Sequence, residues 1–174
     1  MFFKEHIQKK ALNKIERKRV PMFYSIHDIK SLCFVLNLDE ENIMQTIKKL
    51  IDLLDSRFIK FKAIAFNNHK NFYQEAMLDY RIKVISSKKL KYGDIPRKQD
   101  LDYITGETFN TFIDFGAYYF FPNEYVARAT DAEFKIGRCN YDANPYDLVL
   151  ENQNGNSRDF LNSIIHYLSA IRSI

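Results

Sequence analysis

Glycine is scarce in this chain, with five in 174 residues, and none falls in Asn37–Glu41, the loop expected after the first apolar strand. That absence excludes a dinucleotide fingerprint or a phosphate-cradling loop at that position. Cysteine is scarcer still: Cys33 lies in an apolar strand and Cys139 in a turn. Their spacing fits neither a disulfide framework nor a zinc site, so reduced thiols are expected. No apolar run reaches the roughly 18 residues of a membrane span, and Met1–Lys10 carries charges where a signal peptide would be apolar. Cytoplasmic residence follows as the expectation. The four histidines, His6, His27, His69 and His166, are scattered, and His166 sits on the polar face of the last helix. There is no nucleophile elbow and no Cys paired by motif with His. No catalytic residue, metal or cofactor is therefore assigned, and a binding role is favoured over an enzymatic one.

What is present is a core-forming sequence. Hydrophobic residues make up 46% and aromatics 15%, all Phe and Tyr, which suits one folded domain. Phe109–Phe115 alternates and then fills with apolar residues, as a buried strand does, and Gly116 breaks it. Pro122 can open a helix because its missing amide hydrogen is not needed there, and Glu133–Gly137 forms the next strand. A helical crossover between two strands implies a parallel pair.

The rest of the chain arranges around that unit. Phe3, Ile7, Ala11 and Ile15, with Leu12, predict a helix from Phe3 to about Arg17. Ser31–Leu36 reads as a strand covered on both faces, with Asn37 and Asp39 as caps for a helix whose apolar face runs from Ile43 to Phe58. Further strands are expected at Phe58–Phe66, Arg81–Ser86 and Tyr146–Glu151, and helices at Phe72–Tyr80, Arg97–Thr105 and from Ser157 to Ile171. Because only Arg138–Pro145 joins Glu133–Gly137 to Tyr146–Glu151, those two strands are expected to pair antiparallel at a sheet edge. The fold class is α/β: a layered, Rossmann-like or flavodoxin-like, mostly parallel sheet. Residues 1–20 form a basic N-terminal helix and 21–174 a single α/β domain.

Ligands in such sheets gather at the carboxyl ends of strands. That points to Asp114 and Gly116, with Tyr118, Asn123 and Arg138 as companions. Asp114 can bind a hydroxyl or act as a base; equally it can cap the next loop or pair with an arginine. Charge supplies the other candidate surface. Residues 1–100 hold 21 Lys and Arg against 12 Asp and Glu, while residues 101–174 hold 5 against 10. The basic stretches put Lys9, Lys10, Lys14, Arg17, Lys18, Lys88, Lys89 and Lys91 forward as contacts for an anionic macromolecule, RNA or a ribosomal particle. A protein partner docking on the first helix, or a sugar or nucleotide site at the strand ends, are the alternatives.

The stretch TFIDFGAYYFFPNEYVARATDAEFKIG, the later YDLVLE and the last-helix segment IIHYLSAI resemble a family of short cytosolic proteins from Bacteroidetes bacteria, classed as a domain of unknown function. That resemblance implies an α/β fold and cytosolic residence. Phe112-Ile113-Asp114-Phe115, the small-residue segment Ala127–Ala132 and Lys135-Ile136-Gly137 are more faintly similar to the amino-terminal domain of heptosyltransferase-like glycosyltransferases, which implies likeness of fold.

Overall fold

The computed structural model describes residues 2–15, 18–68, 78–152 and 155–170. Six strands form one sheet: β1 (Ser31–Asn37), β2 (Lys60–Asn67), β3 (Ile82–Ser86), β4 (Thr108–Asp114), β5 (Asp131–Gly137) and β6 (Leu148–Val149). Their order is β3-β2-β1-β4-β5-β6, and every pair is parallel. This is the Rossmann-like order, with the chain reversing direction across the sheet between β1 and β4. The flavodoxin-like alternative has a different order. β4 is interior, as its apolar run required, and it lies parallel to β5.

Helices cover both faces because β1 is apolar on both. Leu32, Phe34 and Leu36 point toward α2 (Ile43–Ser56) and α5 (Ser157–Ala170), packing with Ile47, Leu50, Phe160 and Ile164. Cys33 and Val35 face the opposite layer, where α3 (Lys98–Thr105) and α4 (Phe121–Ala129) contribute Leu101, Ile104, Val126 and Ala127. The outermost helix, α1 (Phe2–Ile15), has no fully buried residue. Ile7, Ala11, Leu12 and Ile15 are half-buried, while Phe3, expected on the same stripe, is 69% exposed.

Three expectations are corrected. The antiparallel edge strand is absent: β6 has two residues and runs parallel to β5, its direct neighbour. A parallel return needs a long connection only when it must retrace a whole strand. Here Leu148 and Val149 pair only with Ile136 and Gly137, the last two residues of β5, so the loop climbs back a few residues. The Asp147 carboxylate accepts the Lys135 amide at 2.8 Å, and the Asp147 amide donates to the Lys135 carbonyl at 2.8 Å, fixing that short register.

Helix α2 begins at Ile43, later than the Asn37 and Asp39 caps would have it, and Asn42 takes a left-handed φ of 60° at its start. Helix α5 is capped by Asn156. Its Oδ1 accepts the Asp159 amide at 3.1 Å, while the Ser157 hydroxyl meets Thr46 Oγ1 at 2.8 Å. The short helix expected at Phe72–Tyr80 falls largely outside the described residues.

Phe58 continues the helical spacing of α2 by one turn, yet it is 93% exposed and its φ is 58°. The α2 terminus explains why. The Phe58 amide donates to Asp55 O at 3.1 Å and the Ile59 amide to Leu54 O at 2.9 Å, with Leu54 and Ile59 both in the core. That is the helix-ending bond pattern that normally places glycine at the left-handed position. A side chain there costs about 1–2 kcal/mol. Phe58→Gly is therefore expected to raise the unfolding free energy by about 1 kcal/mol in urea titration, despite glycine's greater chain entropy. A loss of stability would mean that the ring makes contacts that its exposure does not suggest.

Candidate functional site

Asp114 ends β4 at the carboxyl edge of the sheet and is buried. Its Oδ1 accepts the Gly116 amide at 2.7 Å and Asn123 Nδ2 at 2.9 Å; its Oδ2 accepts the Tyr146 hydroxyl at 2.6 Å. Burial pushes the carboxyl up to about 6, against the pull of the Tyr146, Gly116 and Asn123 hydrogen bonds and the Arg138 charge. Burial and the Asp114 charge in turn drive the Tyr146 phenol well above its ordinary range. Tyr141 extends the cluster, its hydroxyl 3.4 Å from that of Tyr146, and its ring stands edge-on to Tyr119, whose hydroxyl donates to Glu124 at 3.0 Å.

Two glycines make this arrangement possible. A Cβ on Gly116 would lie 2.7 Å from Asn123 Nδ2 and 3.0 Å from Asp114 Oδ1. A Cβ on Gly137 would enter the ring of Tyr146, so the end of β5 must be bare for Tyr146 to lie across it and reach Asp114.

Arg138, the other charge expected here, does not pair with Asp114. Its buried guanidinium takes Glu40 at 2.7 and 3.0 Å, the Phe115 carbonyl at 3.1 Å and the Gly155 carbonyl at 3.0 Å. It thus ties together the loops before α2, after β4 and before α5. Tyr118 is 80% exposed and stands apart from the cluster, whereas Asn123 and Gly116 are within it. Asn123 Oδ1, Arg138 Nε and Asn37 Oδ1 are buried without a hydrogen-bond partner among the described residues.

The basic candidates divide between two places. Lys14 and Lys91 line one groove of about 510 Å³ with Lys98, over a floor including Ile15, Ile95, Leu101 and Tyr125. Helix α1 is held beside the 91–95 loop by Gln8 Nε2 on Gly93 O at 2.9 Å and by Lys4 on Asp94 at 2.6 Å. Lys9 and Lys10 are exposed on α1, and Lys88 and Lys89 on a single 3-10 turn after β3. Lys18 lines a different cavity, with Arg19 and Lys135, and Arg17 lies outside the described residues. Sequence reasoning missed Lys98, although it falls in the same basic stretch as Lys91. It also missed Tyr146, for which only the strand reading of Tyr146–Glu151 was available. Among the described residues no group of three His, Cys, Asp or Glu is arranged to hold a metal ion, and no helix is long and apolar enough to cross a membrane.

The raised Asp114 carboxyl has a signed consequence. A folded-state pKa of about 6 against an ordinary 3.8 means that the folded state holds the proton more tightly. The associated stability is present below pH 4 and is lost as pH rises through about 6. At roughly 1.4 kcal/mol per unit, the loss is about 3 kcal/mol. Asparagine can accept from Gly116 and Asn123 and donate to Tyr146, so Asp114→Asn should fold and shed about 2–3 kcal/mol of that decline between pH 4 and pH 7. An unchanged pH profile would mean that the carboxyl is not held as described.

A solved structure of E. coli heptosyltransferase WaaC with ADP is similar at 12% identity with a TM-score of 0.48, over 83% of this chain and 48% of that chain, about half its length. At that similarity it says nothing of activity. No curated protein matches the chain. A family model does match residues 2–171, and so the chain belongs to the family of unknown function DUF6913.

Proposed function

We propose that the protein is a noncatalytic binding domain that holds single-stranded RNA, free or in a ribosomal particle, along the surface where α1 meets the 87–98 segment. The observation that carries this reading is the meeting of two basic stretches far apart in sequence around an exposed aromatic pair. Phe3 and Tyr92 are 69% and 68% exposed with ring centroids 6.3 Å apart. The side-chain ammonium groups of Lys9, Lys10, Lys14, Lys88, Lys89, Lys91 and Lys98 make no ion pair or hydrogen bond among the described residues, so their charges are available to an outside partner. Cations track a phosphate backbone and exposed rings stack on unpaired bases, a combination that suits single strands without demanding a sequence.

A second reading keeps a small-molecule site, for a sugar or nucleotide, at the strand ends around Asp114, Gly116, Tyr118, Asn123 and Arg138. Its support is the set of unpartnered buried polar atoms on Asn37, Asn123 and Arg138, which a ligand could satisfy after a rearrangement of the loops. A thermal-shift screen of nucleotides and nucleotide sugars would reveal such a ligand as concentration-dependent stabilisation lost in Asp114→Asn.

The RNA reading is tested by titrating a labelled oligoribonucleotide at several salt concentrations. Replacing Lys10, Lys14, Lys91 and Lys98 together with Gln should lower the steepness of the salt dependence by up to about 3. Phe3→Ala or Tyr92→Ala should weaken binding by about 1–3 kcal/mol per stacked base while leaving the salt slope intact. Undetectable binding at low salt, or vesicles of anionic lipid binding in place of RNA, contradicts the proposal.

A further inference from the structure

A second cavity, of about 520 Å³, opens on the other flank of α4 and owes nothing to the RNA-binding surface. Its wall includes Lys18, Arg19, Arg128 and Lys135 against two carboxylates, Asp131 and Asp147. Arg19 is committed to Asp147 at 2.7 Å and to the Glu133 and Pro145 carbonyls at 3.1 and 3.2 Å. Arg128 is held by Glu124 at 2.8 Å and donates to Ala143 O at 2.5 Å. Lys18 is exposed at the rim with no ion pair among the described residues.

Lys135 is the unusual member. It is 4% exposed, projects from the middle of β5, and its Nζ donates to the Ala127 carbonyl at 2.5 Å. No carboxylate pairs with that Nζ among the described residues; the Asp147 contact is to its backbone amide. A lysine placed only to close the end of α4 could point outward and keep its hydration. This one is desolvated beside two arginines, the setting in which an amine becomes a nucleophile. Burial, with the Arg19 and Arg128 charges, lowers its pKa to about 8 from 10.5. About a tenth of it is then neutral at pH 7, against roughly one part in three thousand for an ordinary lysine.

We propose that this cavity takes a small aldehyde or ketone bearing an anionic group, which Lys135 holds as an imine. The neutral amine adds to the carbonyl carbon, giving a carbinolamine. That species expels its oxygen as water, taking up the two hydrogens that the nitrogen gives up, and leaves a C=N bond between Nζ and the ligand carbon. No electrons are exchanged. Asp131 and Asp147 line the same wall and can relay the protons of the dehydration, while Lys18 at the rim meets the anionic group.

The test uses pyridoxal 5′-phosphate as the probe, sodium borohydride to reduce any imine to a stable secondary amine, and peptide mass spectrometry to find the modified residue. At substoichiometric probe, Lys135 should be labelled at least about tenfold faster than the exposed Lys9, Lys10, Lys88 and Lys89. Inorganic phosphate should compete, and pyridoxal, lacking the phosphate, should label Lys135 more slowly. Lys18→Gln should remove most of that difference between the two aldehydes. Labelling that simply follows exposure, with Lys135 among the slowest, overturns the proposal. So does Lys135 labelling indifferent to phosphate and to Lys18→Gln, which overturns the anionic part of it. Because the site distribution is read in the unaltered protein, the result stands even if Lys135→Met does not fold.

Discussion

Two buried charges that do not pair with each other hold the carboxyl edge of the sheet. Asp114 gathers the loop after β4, the first turns of α4 and the loop after β5 through Gly116, Asn123 and Tyr146. Arg138 gathers the loops before α2 and before α5 through Glu40 and Gly155, and returns to β4 through the Phe115 carbonyl. In sheets of this strand order the carboxyl edge, where β1 and β4 part, is where ligands bind. Here that edge is filled with the protein's own hydrogen bonds. A buried carboxylate costs stability at neutral pH, and its hydrogen bonds offset part of that cost while fixing three segments in place.

Lys9, Lys10, Lys14, Lys88, Lys89, Lys91 and Lys98 lie on or beside the outer helical layer of α1 and the 87–98 segment. Helix α1 contributes little to the core, yet its attachment to the 91–95 loop places the first basic stretch beside the second. The contacts that hold it use Lys4 and Gln8, leaving Lys10 and Lys14 unpaired. Lys83 and Arg97 of the second stretch are occupied by Asp100, whereas Lys88, Lys89, Lys91 and Lys98 are not. The fold thus sorts its cations into structural and available ones, which the net charge of +4 does not reveal.

What could be read from the sequence was what local patterning determines. The strand at Phe109–Phe115, its parallel partner and the helix opened by Pro122 all follow from apolar runs and from the length of the crossover. β6 was misread because two paired residues leave no periodicity, and because the length rule for parallel connections assumes a full strand to retrace. Phe58 misled because its spacing fits helix α2 while the backbone beneath it has already turned left-handed, a position where glycine is the usual signal. Asp114 was placed at the strand end correctly. Its bond to Tyr146 was not legible, since it depends on Gly137 leaving room for a ring that arrives from the far side of a loop.

In the proposed reading the carboxyl edge serves as a structural node, and the partner binds where α1 meets the 87–98 segment. Hydrogen–deuterium exchange of the whole chain, with and without a single-stranded oligoribonucleotide, compares the two places directly. Binding at the proposed surface adds protection in 2–15 and 87–98, with no change at 114–124 and 138–146. Protection confined to 114–124 and 138–146 would contradict it and move the binding surface to the strand ends.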